Sequence, residues 1–137
     1  MAKRPRGSAR GDTRARARAT AFEALVDRAL AAIPAPYSDA LREVAVVIEH
    51  EPSAEQLEEN GLEADESMYG LYEGVPRTDY GADWAASPNR ITLFRVPLEE
   101  DFPDREELED EVRLTVLHEL AHHLGIDDDR LDELGAG

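Results

Sequence analysis

Three residues near the end of the sequence, His118, Glu119 and His122, have the types and the spacing of a metal site. Two histidines four positions apart face the same side of a helix, with about 5–6 Å between their Cβ atoms. Tetrahedral zinc fits two imidazoles at this separation. Glu119, about 100° round the helix from His118, would lie beside an open coordination position and could accept a proton from a zinc-bound water.

The two histidines need a further ligand, and the sequence restricts which residue types can supply it. There is no cysteine, so every protein ligand must be a nitrogen or an oxygen. Gly125 is placed to end the helix in a left-handed conformation and to reverse the chain. Asp128, ten residues after His118, could then bring a carboxylate back to the metal, and Asp127 stays open as a rival ligand.

The stretch H-E-x-x-H-x-x-G-x-x-D, from His118 to Asp128, resembles the Asp-zincins, metallopeptidases whose third zinc ligand is an aspartate. The short chain also resembles the minimal zincin-like metallopeptidases of bacteria, over approximately residues 45–134. The resemblance implies that His118, His122 and Asp128 hold one Zn²⁺ ion. It implies that Glu119 is the general base and later the general acid in hydrolysis of a peptide bond.

The sequence departs from the larger relatives in two ways. They place a methionine turn under the metal after the third ligand, whereas the methionines here are Met1 and Met68. The tyrosines that could stabilise an oxyanion, Tyr69, Tyr72 and Tyr80, lie upstream of the motif. The alternative hypothesis is therefore a zinc-binding interaction or regulatory module with weak or no hydrolytic activity, and an amidase acting on non-peptide substrates is a lesser option.

Two residues of the motif region also have a structural interpretation. Glu119 could be a solvated acid on an exposed helix face. His123 lies near the helix C-terminus, where the helix dipole favours its charged form, so a structural or supporting role is favoured over metal ligation.

The metal-binding residues are predicted to lie on a long helix that begins at Asp104. Asp104 can cap this helix, with Glu107 three residues on as the second member of a box-like pair. One side of the helix is apolar and is predicted to pack on a sheet. Its members are Val112, Leu114, Val116, Leu117, Leu120, Ala121 and Leu124.

The remaining periodicities predict the elements that support this helix. They are a helix from Thr20 to Pro34, a buried strand over residues 44–48, a short helix or turn between Ser53 and Gly61, a strand around residues 71–75, a long loop, a strand over residues 90–97 and a short C-terminal helix. The fold class is α/β (α+β): a zincin-like single domain with a small mixed sheet of about three strands packed on the HExxH helix, plus N-terminal and short C-terminal helices. If residues 91–95 form the sheet edge, an extended substrate would bind along them.

Charge divides the chain of 137 residues into two unlike parts, although the net charge is −16. Residues 1–18 contain seven Lys or Arg against one Asp, and the rest contains eight basic and thirty acidic residues. We predict a disordered basic tail at 1–18, for which polyanion binding stays open, and a domain at 19–137. The acidic body argues against nucleic-acid binding.

No apolar run approaches the roughly 18–20 residues that would span a bilayer, and no signal-peptide hydrophobic region follows the basic N-terminus. The sequence therefore predicts a soluble cytoplasmic protein that makes no contact with a membrane. The expected partner is a peptide or protein substrate, hydrolysed by a zinc-dependent metallopeptidase.

Overall fold

A computed structural model describes the backbone of residues 6–74 and 89–126, with the side chains of residues 13–74 and 89–126. Within these ranges the chain forms a mixed α+β domain of five helices and three strands. The elements in order are α1 (Arg6–Ala31), α2 (Tyr37–Leu41), β1 (Ala45–Glu49), α3 (Ala54–Glu59), β2 (Gly70–Glu73), β3 (Arg90–Phe94), α4 (Arg95–Asp101) and α5 (Arg105–His123). The predicted fold class is confirmed.

The three strands form one sheet in the order β1-β3-β2. β1 pairs with β3 in parallel and β2 pairs with β3 antiparallel, so the sheet is mixed, as predicted. Substrate binding along residues 91–95 required that they form the sheet edge, and this condition is not met, because β3 is the central strand. Residues 91–94 are all buried, which is the pattern of a strand covered on both faces rather than of a half-exposed edge.

The predicted strand over residues 90–97 is also too long, since β3 ends at Phe94 and α4 begins at Arg95. Pro97 is the third residue of this helix, a position at which no backbone N–H is needed for an intrahelical hydrogen bond. Arg95 and Glu99 form an ion pair at 2.6 Å one turn apart, which supports the helix. Proline here lies within the first turn of a helix rather than after a strand.

The core lies between the sheet and two long helices. α5 contributes Leu108, Val112, Val116 and Leu120, which contact Phe22, Leu25, Val26 and Ala29 of α1 and Ile91 and Leu93 of β3 in one cluster. The Asp104 side chain accepts a hydrogen bond from the Glu107 N–H at 3.1 Å, so the predicted cap of α5 is confirmed. The prediction that Leu114 packs on the sheet is wrong, because 42% of its surface is exposed.

Helix α1 differs from the prediction at its start. It begins at Arg6, well before Thr20, so residues 6–18, predicted as part of a disordered tail, are helical. Arginine and alanine both favour helix, which a composition argument for disorder does not take into account. The side chains of residues 13–18 are exposed, and the contribution of α1 to the core begins at Phe22.

The short helix α3 follows the prediction closely. Ser53 and Gln56 form a reciprocal capping box at the start of α3, and Gly61 follows that helix with a positive φ of 74°. The long loop over residues 75–88 and the short C-terminal helix lie outside the described residues. In the part of the chain that is described, no helix has the length and apolar character needed to cross a membrane. Cytoplasmic location stays a prediction.

The central strand carries one polar group that the packing leaves unsatisfied. Thr92 is fully buried, and its hydroxyl has no hydrogen-bond partner among the described residues. We expect Thr92→Val to raise the free energy of unfolding by about 1 kcal/mol, because it replaces an unpaired buried hydroxyl with a methyl group of similar size. Chemical denaturation of the two proteins measures the difference.

Thr92→Ser is the matched control, since it keeps the hydroxyl and removes the methyl group, and it should lower stability. A lower stability of Thr92→Val than of the wild type would show that the hydroxyl is paired after all.

Candidate active site

His118 and His122 lie on one face of α5, as their spacing predicts. Their ring centroids are 4.9 Å apart and the ring planes are inclined by 66°. Two imidazoles that bind one zinc ion at about 2.0–2.1 Å per nitrogen must have their rings this close together. Both residues are partly exposed, so the pair lies at the surface of the core rather than inside it.

Glu119 lies beside this pair and is buried, with 9% of its surface exposed. Its Oε2 atom is 3.0 Å from Nδ1 of His122, but the two atoms are not aligned for a hydrogen bond, and no other described residue supplies one to this oxygen. The alternative of a solvated surface acid is wrong for this reason. A buried carboxylate oxygen that lacks a hydrogen bond is costly unless a water or a cation satisfies it.

The end of α5 turns the chain sharply, as the glycine at position 125 predicts. Gly125 has a φ of 78°, its N–H donates to the His122 carbonyl, and the Ile126 N–H donates to the Ala121 carbonyl at 2.8 Å. These two hydrogen bonds form a Schellman motif, which leaves a helix by reversing the chain direction. Asp127 and Asp128 follow immediately and lie outside the described residues.

The donor set at the helix end fits a metal ion in part. Two imidazoles and a buried, unsatisfied carboxylate oxygen are the groups expected around a zinc ion and the water that it activates. Over residues 13–74 and 89–126, no group of three His, Asp or Glu residues is arranged to hold a metal ion. A site with three protein ligands would therefore draw its third ligand from outside these ranges, where Asp127 and Asp128 lie.

His123 has a different environment from His118 and His122. It is fully buried, with Nδ1 3.0 Å from the Tyr72 hydroxyl and Nε2 3.3 Å from Oε2 of Glu43. The Tyr72 hydroxyl donates to Oδ1 of Asn89 at 2.9 Å, so its oxygen is left to accept from His123. Both ring nitrogens are occupied, which supports the predicted structural role and leaves neither for a metal.

Strand β2 packs against α5 close to His118. A Cβ atom at Gly70 would lie 2.6 Å from Cγ2 of Thr115 and 3.3 Å from the Thr92 carbonyl oxygen, so only glycine allows this approach. Between the start of β2 and α5 lies a cleft of about 350 Å³. It is lined by Tyr69 and Gly70 on one side and by Glu111, Leu114, Thr115, His118 and Glu119 on the other.

Tyr69 forms the wall of the cleft opposite α5, and its hydroxyl donates to Oδ2 of Asp101. The hydrogen bond to Asp101, together with burial and the nearby charges of Asp101 and Glu111, raises the pKa of Tyr69 to about 12. The Tyr69 hydroxyl therefore donates its hydrogen bond to Asp101 and not to a group in the cleft. Tyr72 likewise donates to Asn89, and Tyr80 lies outside the described residues.

Five of the cleft residues were not identified from the sequence as lining a cleft: Tyr69, Gly70, Glu111, Leu114 and Thr115. Leu114 and Glu111 precede His118 by one and two helical turns, so the helical period could have placed them near the site. Tyr69 and Gly70 depend on where β2 lies against α5, for which the sequence contains no local signal.

Comparisons with known proteins assign the chain to a family. Residues 41–137 match the family described as zincin-like metallopeptidase. A solved structure, a conserved hypothetical protein from Thermus thermophilus, matches with a TM-score of 0.52 and 29% identity, covering 77% of this chain and 92% of that one. No curated protein matches the chain. The similar structure supports the fold, and its description names no reaction.

The Tyr69–Asp101 hydrogen bond predicts a pH dependence. Because the pKa of Tyr69 is raised in the folded state from about 10 to about 12, the folded protein holds this proton more tightly than the unfolded chain does. The resulting stabilisation is present below pH of about 10 and is lost as the pH rises through about 12. Following phenolate absorbance against pH should show one tyrosine that ionises late.

Tyr69→Phe should remove this late step, and Asp101→Asn should move it to lower pH. Asp110→Asn is the control and should leave the late step in place, because Asp110 pairs with Arg113 at 3.0 Å. A late step that survives in Tyr69→Phe would assign the raised pKa to another tyrosine.

Proposed function

We propose that the chain hydrolyses peptide bonds with one zinc ion held by His118, His122 and Asp128. The basis is that it belongs to the family of zincin-like metallopeptidases. The observation that carries the proposal is the grouping of two neighbouring imidazoles with the buried, unsatisfied carboxylate of Glu119 on the wall of a cleft. Asp128 falls within the family match and follows the chain reversal at Gly125.

Each side chain has a distinct part in the proposed reaction. When bound, zinc supplies a Lewis acid that polarises a carbonyl group and lowers the pKa of water to about 7. Glu119 accepts a proton from the attacking water and delivers it to the nitrogen of the leaving amine as the C–N bond breaks. Since Nδ1 of His122 faces Glu119, we assign its Nε2 to the metal.

The substrate backbone would pair with β2, which replaces β3 as the proposed binding strand. In the described part of the chain, β2 is an edge strand that pairs with β3 alone. The Phe94 N–H donates to the Tyr69 carbonyl, so in this antiparallel ladder the N–H and C=O groups of Gly70 and Tyr72 point away from β3. These outward groups support binding of an extended peptide next to the cleft.

A zinc-binding module with little hydrolytic activity remains the second candidate. The hydroxyl groups of Tyr69 and Tyr72 donate their hydrogen bonds to Asp101 and Asn89. Neither hydroxyl is therefore ready to stabilise a developing oxyanion, and in a peptidase that task would fall to the metal. Hydrolysis assays separate the two candidates, whereas zinc binding alone does not.

Glu119→Gln should retain zinc and lose hydrolysis by at least about a hundredfold, because an amide preserves the shape of the carboxylate but does not accept a proton at neutral pH. Zinc content by metal analysis and cleavage of a broad peptide library measure the two properties separately.

Glu106→Gln is a matched control in the exposed first turn of the same helix, and it should retain both properties. Loss of zinc from Glu119→Gln would make Glu119 a ligand, and undiminished cleavage would assign the base to another group. Failure of the wild type to cleave any peptide while it binds zinc would favour the second candidate.

Zinc affinity should distinguish Asp128 from Asp127. The loss of a charged ligand should cost more than the about 10–100-fold typical of a group that only supports a ligand. Asp128→Ala should therefore weaken zinc binding more than Asp127→Ala or Asp129→Ala does. Parallel zinc titrations at one pH test this, and the assignment fails if Asp127→Ala removes the metal while Asp128→Ala retains it.

A further inference from the structure

The cleft beside His118 contains a large apolar side chain that is exposed. Leu114 lies one helical turn before His118, and 42% of its surface is exposed. A single exposed leucine is ordinary on a protein surface. Here, however, it lines a cleft of about 350 Å³ together with His118 and Glu119 of the candidate site. An apolar contact at this place is available to a side chain of the substrate.

Glu111 lies one turn further along the same face of α5. The two neighbouring acids on this helix have cationic partners: Glu109 pairs with Arg28 at 2.8 Å, and Asp110 pairs with Arg113 at 3.0 Å. Glu111 makes no ion pair with any residue of the described ranges, and it lines the cleft. Moving away from His118, the α5 wall of the cleft is therefore first apolar, at Leu114, and then negatively charged, at Glu111.

The wall of the cleft opposite α5 also combines an apolar surface with a nearby negative charge. The Tyr69 ring faces the cleft, and its hydroxyl donates to the carboxylate of Asp101. The charges of Asp101 and Glu111 both act on this hydroxyl. The cleft thus combines an aromatic ring and a leucine side chain with a negative electrostatic environment at one end.

We propose that this cleft binds a lysine or arginine side chain of the substrate next to the scissile bond, with the aliphatic stem against Leu114 and the positive end at Glu111. The proposal rests on the proposed peptidase function and adds its substrate class. Long cationic side chains need both features, an apolar surface for the stem and a charge for the head. The acidic composition of residues 19–137 favours the approach of cationic peptides over longer distances.

The test compares peptides that are identical except for one residue next to the cleaved bond: lysine, norleucine or glutamate. Norleucine has the aliphatic stem of lysine without the charge. For the wild type we expect kcat/KM to be about three- to tenfold higher with lysine than with norleucine, as for a partly screened ion pair. The glutamate peptide should be the poorest substrate.

Two substitutions test the charged and the apolar part of the cleft separately, and a third serves as the control. Glu111→Gln should abolish the preference for lysine over norleucine. Leu114→Ala should lower kcat/KM for both of these peptides by about five- to tenfold, because it removes the apolar contact with the stem. Asp110→Asn, which changes an acid already paired with Arg113, should keep the wild-type preference.

Binding of the same peptides to zinc-loaded Glu119→Gln, measured by calorimetry, gives a readout that does not require cleavage. If no peptide is cleaved but the lysine peptide still binds more tightly through Glu111, the peptidase function fails and the cleft assignment stands. If peptides are cleaved or bound with no preference for lysine, or if Glu111→Gln keeps the preference, the assignment is overturned and the peptidase function is unaffected.

Discussion

The close contact between β2 and α5 determines the geometry of the site. At one end of the strand, the absence of a side chain at Gly70 lets the backbone lie against Thr115. At the other end, Tyr72 reaches His123 through a hydrogen bond. The catalytic candidates His118, Glu119 and His122 lie on the helix between these two contacts. The position of the strand over the helix therefore sets the width of the cleft and which strand edge faces it.

This contact places polar groups inside a small core, where a polar group without a hydrogen bond is costly. His123 is fully buried. Its interactions with Tyr72 and Glu43, which come from different parts of the chain, compensate for the free-energy cost of burying its ring nitrogens. Glu119 differs, because its Oε2 atom has no hydrogen bond among the described residues. A helix that served only to cover a sheet would gain stability from an apolar residue at either position. His123, with both ring nitrogens hydrogen-bonded, supports the fold. The carboxylate of Glu119, which lacks such a partner for Oε2 among the described residues, is suited to chemistry.

Local signals explain what the sequence predicted well. The Asp104 cap, the spacing of His118 and His122 and the turn at Gly125 all depend on residues within one or two helical turns, so the sequence placed them correctly. The sequence did not predict the central position of β3 in the sheet, because its burial on both faces depends on β1 and β2, which are distant in sequence. Leu114 was assigned to the core for a related reason: the helical period identifies a broad apolar side, but only the position of β2 decides which residues of that side are covered.

The same dependence explains why zinc binding and hydrolysis would be separable properties of the proposed site. The histidine pair is fixed by a single helix and its Schellman turn, so it requires little from the rest of the fold. Hydrolysis additionally needs a substrate held in register beside Glu119, and that depends on the outward groups of Gly70 and Tyr72 and on the cleft walls. With the Tyr69 proton donated to Asp101, the reaction would rely on the metal alone for the oxyanion. Substrate positioning by β2 and the cleft would then decide whether a metal-binding helix becomes an efficient peptidase.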